Sequence, residues 1–175
     1  PITVEDKTAP TFTAPADITI YKDADCNDAH LDLTVTGDVT DEADNCSTGI
    51  EATYADEDVT PADACEGTKV YKRTWSLVDD CGNAAADQVQ TITVEDKTAP
   101  AIGTADLDRK LTSTNCVFTI PDLTGEVLAI SSDNCSDAAH LTATQDVAAG
   151  TVLTPGNGQT VVVTVTDDCG NYSTK

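Results

Sequence analysis

A spacing of two marks two runs of this chain, through positions 73, 75 and 77 in the first and 92 and 94 in the second. Val70, Arg73, Trp75 and Leu77 mark the first, in VYKRTWSLV, and Val89, Ile92 and Val94 mark the second, in AADQVQTITVED. A period of two, in runs rich in Val and Thr and bounded by Gly, Asn, Asp and Pro, predicts strands. The intervening DDCGN at 79 to 83 joins them as a hairpin. Asp17 to Tyr21 begins a first strand, Leu31 to Gly37 forms a second, and the DNCS segment at 44 to 47 closes it. No stretch has the period of a useful helix.

Three strings occur twice and in the same order. ITVEDKTAP stands at 2 to 10 and 92 to 100, DNCS at 44 to 47 and 133 to 136, and DDCGN at 79 to 83 and 167 to 171. The spacing defines a duplicated unit of roughly 90 residues, as tandem arrays require. About seven short strands per unit match an immunoglobulin-like sandwich, so the expected fold class is all-β, with tandem immunoglobulin-like domains. Residues 1–7 read as the tail of a preceding repeat, 8–97 as repeat 1, and 98–175 as repeat 2, which lacks most of its last strand. The shared DKTAP segment is a short, stiff connector, because Pro restricts the backbone.

Charge narrows the partners. With 31 acidic against 9 basic residues the formal net charge is −22, which repels nucleic acid and anionic membranes and favours cations. Apolar runs such as VVVTV at 161 to 165 separate this chain from acidic disordered ones. No run is long enough to span a bilayer, and PITVEDKTAP has no signal-peptide pattern; the chain reads as an excerpt of a longer protein. Seven cysteines with no CxxC pair or Cys/His cluster favour disulfides and an oxidising, extracellular compartment.

Together TVEDKTAP, DNCS, RTW at 73 to 75 and DDCGN resemble hyalin-type and related immunoglobulin-like repeats of large surface proteins, especially gliding and adhesion proteins of Bacteroidota. The resemblance covers nearly the whole chain. It implies multi-repeat adhesins at the cell surface, with neighbouring repeats as partners and possible contacts to surface glycans or other subunits, and it names no ligand.

In an immunoglobulin-like topology the loop after the second strand and the loop of the last hairpin share one end, which would pair Cys46 with Cys81 and, by repetition, Cys135 with Cys169. Turns at the opposite end would pair Cys26 with Cys65, with Cys26 to Cys46 as the alternative. Cys116 is left over in this fragment; its partner is expected in the missing last strand, as the resemblance suggests, and a reactive free thiol is the other reading. The same topology brings the incoming connector to the DNCS and DDCGN end. Asp6, Asp44, Asp79 and Asp80 would then converge in repeat 1, and Asp96, Asp133, Asp167 and Asp168 in repeat 2. Calcium, which takes six to eight oxygen ligands, suits such a set better than magnesium, and a bound ion would lock the connector. Without an EF-hand loop, the affinity would suit extracellular calcium. The competing reading is that these Asp and Asn residues only make turns.

Other candidates read blandly. Trp75, Arg73 and Leu77 share a face, so Trp75 is expected in the core near a bridge and not on a sugar-stacking platform. His30 and His140 each precede Leu without a second ligand at metal spacing and read as strand-edge residues. The sequons at Asn45, Asn134 and Asn171 lie in the acidic loops and are not read as glycosylated, and ADEDVTPAD at 55 to 63 reads as solvated surface. No nucleophile elbow, phosphate loop or HExxH string occurs, so no enzymatic activity is expected. The sequence reads as a structural or adhesive extracellular segment. A carbohydrate-binding accessory module and a strand-donating polymer subunit are the alternatives.

Overall fold

The structure, a computed structural model, describes residues 1–27, 31–105, 117–153 and 159–175. It is β-rich, with two helical turns, and divides into two compact units. Unit 1 holds Pro1–Asp23, Asn27–Ala64 and Thr68–Glu95; unit 2 holds Ala24–Cys26, Cys65–Gly67 and Asp96–Lys175. The division falls at Glu95 and Asp96, two residues before the boundary expected from sequence. Two three-residue segments from within repeat 1 also belong to unit 2, because each carries a cysteine bonded there.

In unit 1, β1 (Ile18–Tyr21), β2 (Thr53–Asp58), β3 (Lys69–Ser76) and β4 (Gln88–Glu95) form one sheet in the order β1-β4-β3-β2. The pair β3 and β4 is the expected hairpin, antiparallel with Tyr71 opposite Ile92. β1 runs parallel to β4, Ile18 opposite Ile92. Alternation decides which face is buried: Arg73 and Trp75 of β3 and Gln90, Ile92 and Val94 of β4 point inward. Phe12, Val39, Trp75 and Leu77 form one apolar cluster, and Ile20, Ile92 and Val94 form another.

The expected second strand at Leu31 to Gly37 is instead a helical turn, α1 (Leu33–Thr36). Gly37, at φ 91°, terminates it, a left-handed conformation that glycine adopts without steric cost. Tertiary anchoring outweighs the β propensity of LTVT here: the Thr36 carbonyl accepts the Gln90 amide at 2.7 Å, and its hydroxyl accepts the Arg73 guanidinium at 2.6 Å. Arg73 is fully buried and reaches Asp56 through two bonds of 2.7 and 2.8 Å. The acidic stretch at 55 to 63 is therefore not solvated surface alone, since Asp56 is the counterion of a core arginine. Trp75 is fully buried, as expected, and its ring lies 5.2 Å from that of Tyr54.

Unit 2 contains β5 (Ala101–Ile102), β6 (Phe118–Thr119), α2 (Thr124–Leu128), β7 (Ser131–Ser132), β8 (Thr142–Gln145), β9 (Val152–Leu153), β10 (Val163–Thr166) and β11 (Tyr172–Thr174). A three-stranded sheet, β11-β10-β8, is accompanied by the pairs β5-β7 and β6-β9. Val127, Leu141, Val163 and Val165 form the core. The Ala101 and Ser132 pairing repeats, one unit later, the isolated bridge between Thr11 and Ala43 of unit 1.

Candidate metal centres

Each unit gathers three aspartates, one from each repeated string. Asp6, Asp44 and Asp79 in unit 1, and Asp96, Asp133 and Asp167 in unit 2, each offer a carboxylate oxygen, and within each trio these oxygens lie within 4.8 Å of one another. The sequence places them there through local turns. In DNCS, Asp44 Oδ2 accepts the backbone N–H groups of Cys46 and Ser47 at 2.9 and 2.8 Å, and Asp133 Oδ2 accepts those of Cys135 and Ser136, both at 2.9 Å. In DDCGN, the Asn83 side-chain amide donates to Asp79 Oδ2 at 2.7 Å and to the Asp6 carbonyl at 3.2 Å. Asn171 does the same for Asp167 Oδ2 at 2.8 Å and the Asp96 carbonyl at 3.3 Å. In DKT, Asp6 Oδ1 accepts the Thr8 N–H at 3.0 Å, and Asp96 Oδ1 that of Thr98 at 2.9 Å.

These bonds engage one oxygen of Asp6, Asp44, Asp96 and Asp133, whereas Asp79 and Asp167 use both, their Oδ1 atoms accepting the Asn83 and Asn171 backbone N–H groups. Asp6 Oδ2, Asp44 Oδ1, Asp96 Oδ2 and Asp133 Oδ1 are buried and accept no hydrogen bond from the described residues. Asp96 is only 2% solvent-exposed, and Asp79 and Asp167 are also buried. Buried carboxylate oxygens without donors, facing other carboxylates, are costly unless a cation joins them. The Thr8 N–H above all holds the Asp6 carboxyl below its ordinary pKa, against partial desolvation. The Asn83 side-chain amide does the same for Asp79. Both clusters present oxygen alone, a donor set that suits a hard divalent cation.

Asp80 and Asp168, the fourth member of each expected set, do not join. Both are exposed, because adjacent residues in the DD turn point opposite ways. Asp168 Oδ2 instead accepts the Glu66 N–H at 2.8 Å. Residues that the sequence reading did not assign to the clusters bind them together: Asn83 and Asn171, and the buried Ser47 and Ser136, whose hydroxyls accept the Asp80 and Asp168 N–H groups at 3.2 and 3.3 Å. Their signal was present, since both belong to the repeated strings.

The disulfides correct the expected pairing. Cys26 bonds Cys135 and Cys65 bonds Cys169, while Cys46 and Cys81 are free and exposed. Neither Cys135 to Cys169, nor Cys26 to Cys65, nor the alternative Cys26 to Cys46 is formed. The within-repeat argument failed because each DNCS or DDCGN cysteine of unit 2 is met by a segment that lies one repeat earlier in sequence. Trp75 consequently has no bridge beside it in unit 1. Cys116 and His30 lie outside the described residues.

His140 sits in a turn and not at a strand edge. Its Nδ1 is 3.0 Å from Asp137 Oδ1 and 3.1 Å from Glu66 Oε1. The Asp137 hydrogen bond, then the Glu66 charge, raise its pKa, so this trio is an ion-paired group. No sequence spacing foretold it, because Glu66 and Asp137 are 71 positions apart.

No family model, curated protein or solved structure matches this chain. Among the described residues, no helix is long and apolar enough to cross a membrane.

Proposed function

We propose that the chain is a non-catalytic, repeat-built structural or adhesive segment of a large extracellular protein, each repeat stabilised by calcium. The observation that carries this reading is the duplicated trio of aspartates, with the same two oxygens of each trio buried and without donors. An ion there would be held by Asp6, Asp44 and Asp79 in one repeat and by Asp96, Asp133 and Asp167 in the next. It would neutralise the carboxylates and fasten the leading segment of each repeat to its two acidic loops. Disulfides suit an oxidising, extracellular setting. The parallel pairing of β1 with β4, beside the antiparallel β4-β3-β2 order, supports an immunoglobulin-like assignment, and the resemblance to hyalin-type repeats of bacterial surface proteins agrees with it.

Calorimetric titration of the full chain with calcium tests the proposal. Two sites per chain are expected, with Asp44→Asn abolishing one and Asp133→Asn the other, since Asn keeps the turn-forming oxygen but loses the charge. No saturable heat in the parent chain, or heat indifferent to both substitutions, would leave the aspartates as turn formers.

A further inference from the structure

The two free thiols of unit 1 have counterparts in unit 2 that are both bonded. Cys46 occupies DNCS as Cys135 does, and Cys81 occupies DDCGN as Cys169 does. The loops around them are built alike: the same aspartate oxygen accepts the N–H groups of the cysteine and the following serine, and the same serine hydroxyl accepts an N–H from the other loop. In unit 2 this frame is completed by Ala24–Cys26 and Cys65–Gly67. Cys26 closes on Cys135 with the α-carbons 5.1 Å apart, and Cys65 on Cys169 at 5.2 Å. Around Cys65, Asp168 accepts the Glu66 N–H, and Glu66 Oε2 accepts the Asp137 N–H at 3.0 Å. Gly67, at φ 86°, lies so near Cys135 that a Cβ would come within 2.9 Å of its side chain. The segment is fitted to the frame.

Unit 1 presents the same frame, with Cys46, Cys81 and Asp80 all exposed. We propose that Cys46 and Cys81 are an acceptor for two cysteine-bearing segments of a further repeat of this kind placed before this one, a Cys26-type residue closing on Cys46 and a Cys65-type residue on Cys81. Each closure removes two protons and two electrons from a pair of thiols, and a small-molecule disulfide takes them, leaving as two thiols. The donor must carry both cysteines. Repeat 2 does not qualify, because Cys116 matches Cys26 while Leu153 and Thr154 stand where Cys65 stands in repeat 1. The inference does not depend on calcium.

Two experiments decide it. In the full chain, folded under oxidised glutathione, alkylation with peptide mapping is expected to label both Cys46 and Cys81 while Cys26–Cys135 and Cys65–Cys169 stay closed. A Cys46–Cys81 bond would overturn the proposal, because the acceptor would then satisfy itself. In a tandem chain of residues 1–91, with Cys46→Ser and Cys81→Ser in this added copy, followed by 2–175, which reads through the shared ITVEDKTAP string without a seam, the added copy's Cys26 and Cys65 are expected to appear bonded to the downstream Cys46 and Cys81. Alkylation of Cys46 and Cys81 should fall at least about tenfold. Persistence of both as labelled thiols beside closed downstream bridges would equally overturn it.

Discussion

The two units place different material on the same scaffold. Aligned on DDCGN, Trp75 and Leu77 of unit 1 correspond to Val163 and Val165 of unit 2, and all four are buried. Unit 1 fills its core with an indole, a buried Arg73 paired with Asp56, and the buried Gln90 amide bonded to the Ala16 and Thr36 carbonyls. Unit 2 has valines there and two disulfides instead. A small core gives limited stability by burial alone, and covalent closure is the common remedy. The acidic trios, in contrast, are the same in both.

The largest expected effect is on the bridges. Cys26→Ser or Cys65→Ser should destabilise unit 2 by about 2–5 kcal/mol per bridge, while Cys46→Ser and Cys81→Ser in this chain should change stability by no more than about 0.5 kcal/mol. Hydrogen exchange resolves the two, through amides of β8 and β10 against those of β3 and β4. If all four substitutions cost the same, the contrast between the units fails.

Next is the core of unit 1. Trp75→Ala should cost about 3–5 kcal/mol, and Asp56→Ala a similar amount, because Arg73 would remain buried and unpaired. Denaturation followed by Trp75 fluorescence, from the single tryptophan of the chain, reads out the Asp56 variant; exchange reads out both. Amides of unit 2 slowing or quickening as much as those of unit 1 would show that the cores are not separate.

Calcium should act on both units alike. At a concentration one hundred times the dissociation constant it would add about 2.7 kcal/mol to each site, and chelation should remove that from β3 and from β10 together. Protection of one unit only would break the equivalence of the trios.

Glycines give a finer contrast. Gly67 and Gly82 both have positive φ, but a Cβ at Gly82 meets nothing within 4 Å, whereas one at Gly67 meets Cys135. Gly82→Ala should cost about 1 kcal/mol, and Gly67→Ala clearly more, measured as midpoints of urea unfolding; equal midpoints would mean that the Gly67 segment is not held against the bridge.

The smallest effect is the pH dependence that His140 lends to unit 2. The raised His140 pKa means that the folded state binds its proton more tightly than the unfolded one. Its contribution is therefore complete below about pH 6.5 and declines as pH rises through the folded value. His140→Gln should flatten that slope in unit 2 and leave unit 1 unchanged, as read by exchange between pH 6 and 8.

Much of this protein is determined by sequence alone. The period-two runs fix β3, β4 and the face that buries Trp75, and the three repeated strings fix the turn, two to four residues long, that orients each aspartate. Those are local rules, and they survive duplication. The fold decides that three of the four expected carboxylates meet and that Asp80 and Asp168 stay out. The helical turn at Leu33–Thr36, the Asp56 counterion of Arg73, the Glu66 and His140 pairing and the disulfide partners were decided only in three dimensions. Each depends on segments tens of residues apart, and identical cysteines in identical loops are bonded in unit 2 and free in unit 1. A cysteine's sequence context sets its loop, but whether a second sulfur arrives within bonding distance is set by the rest of the fold.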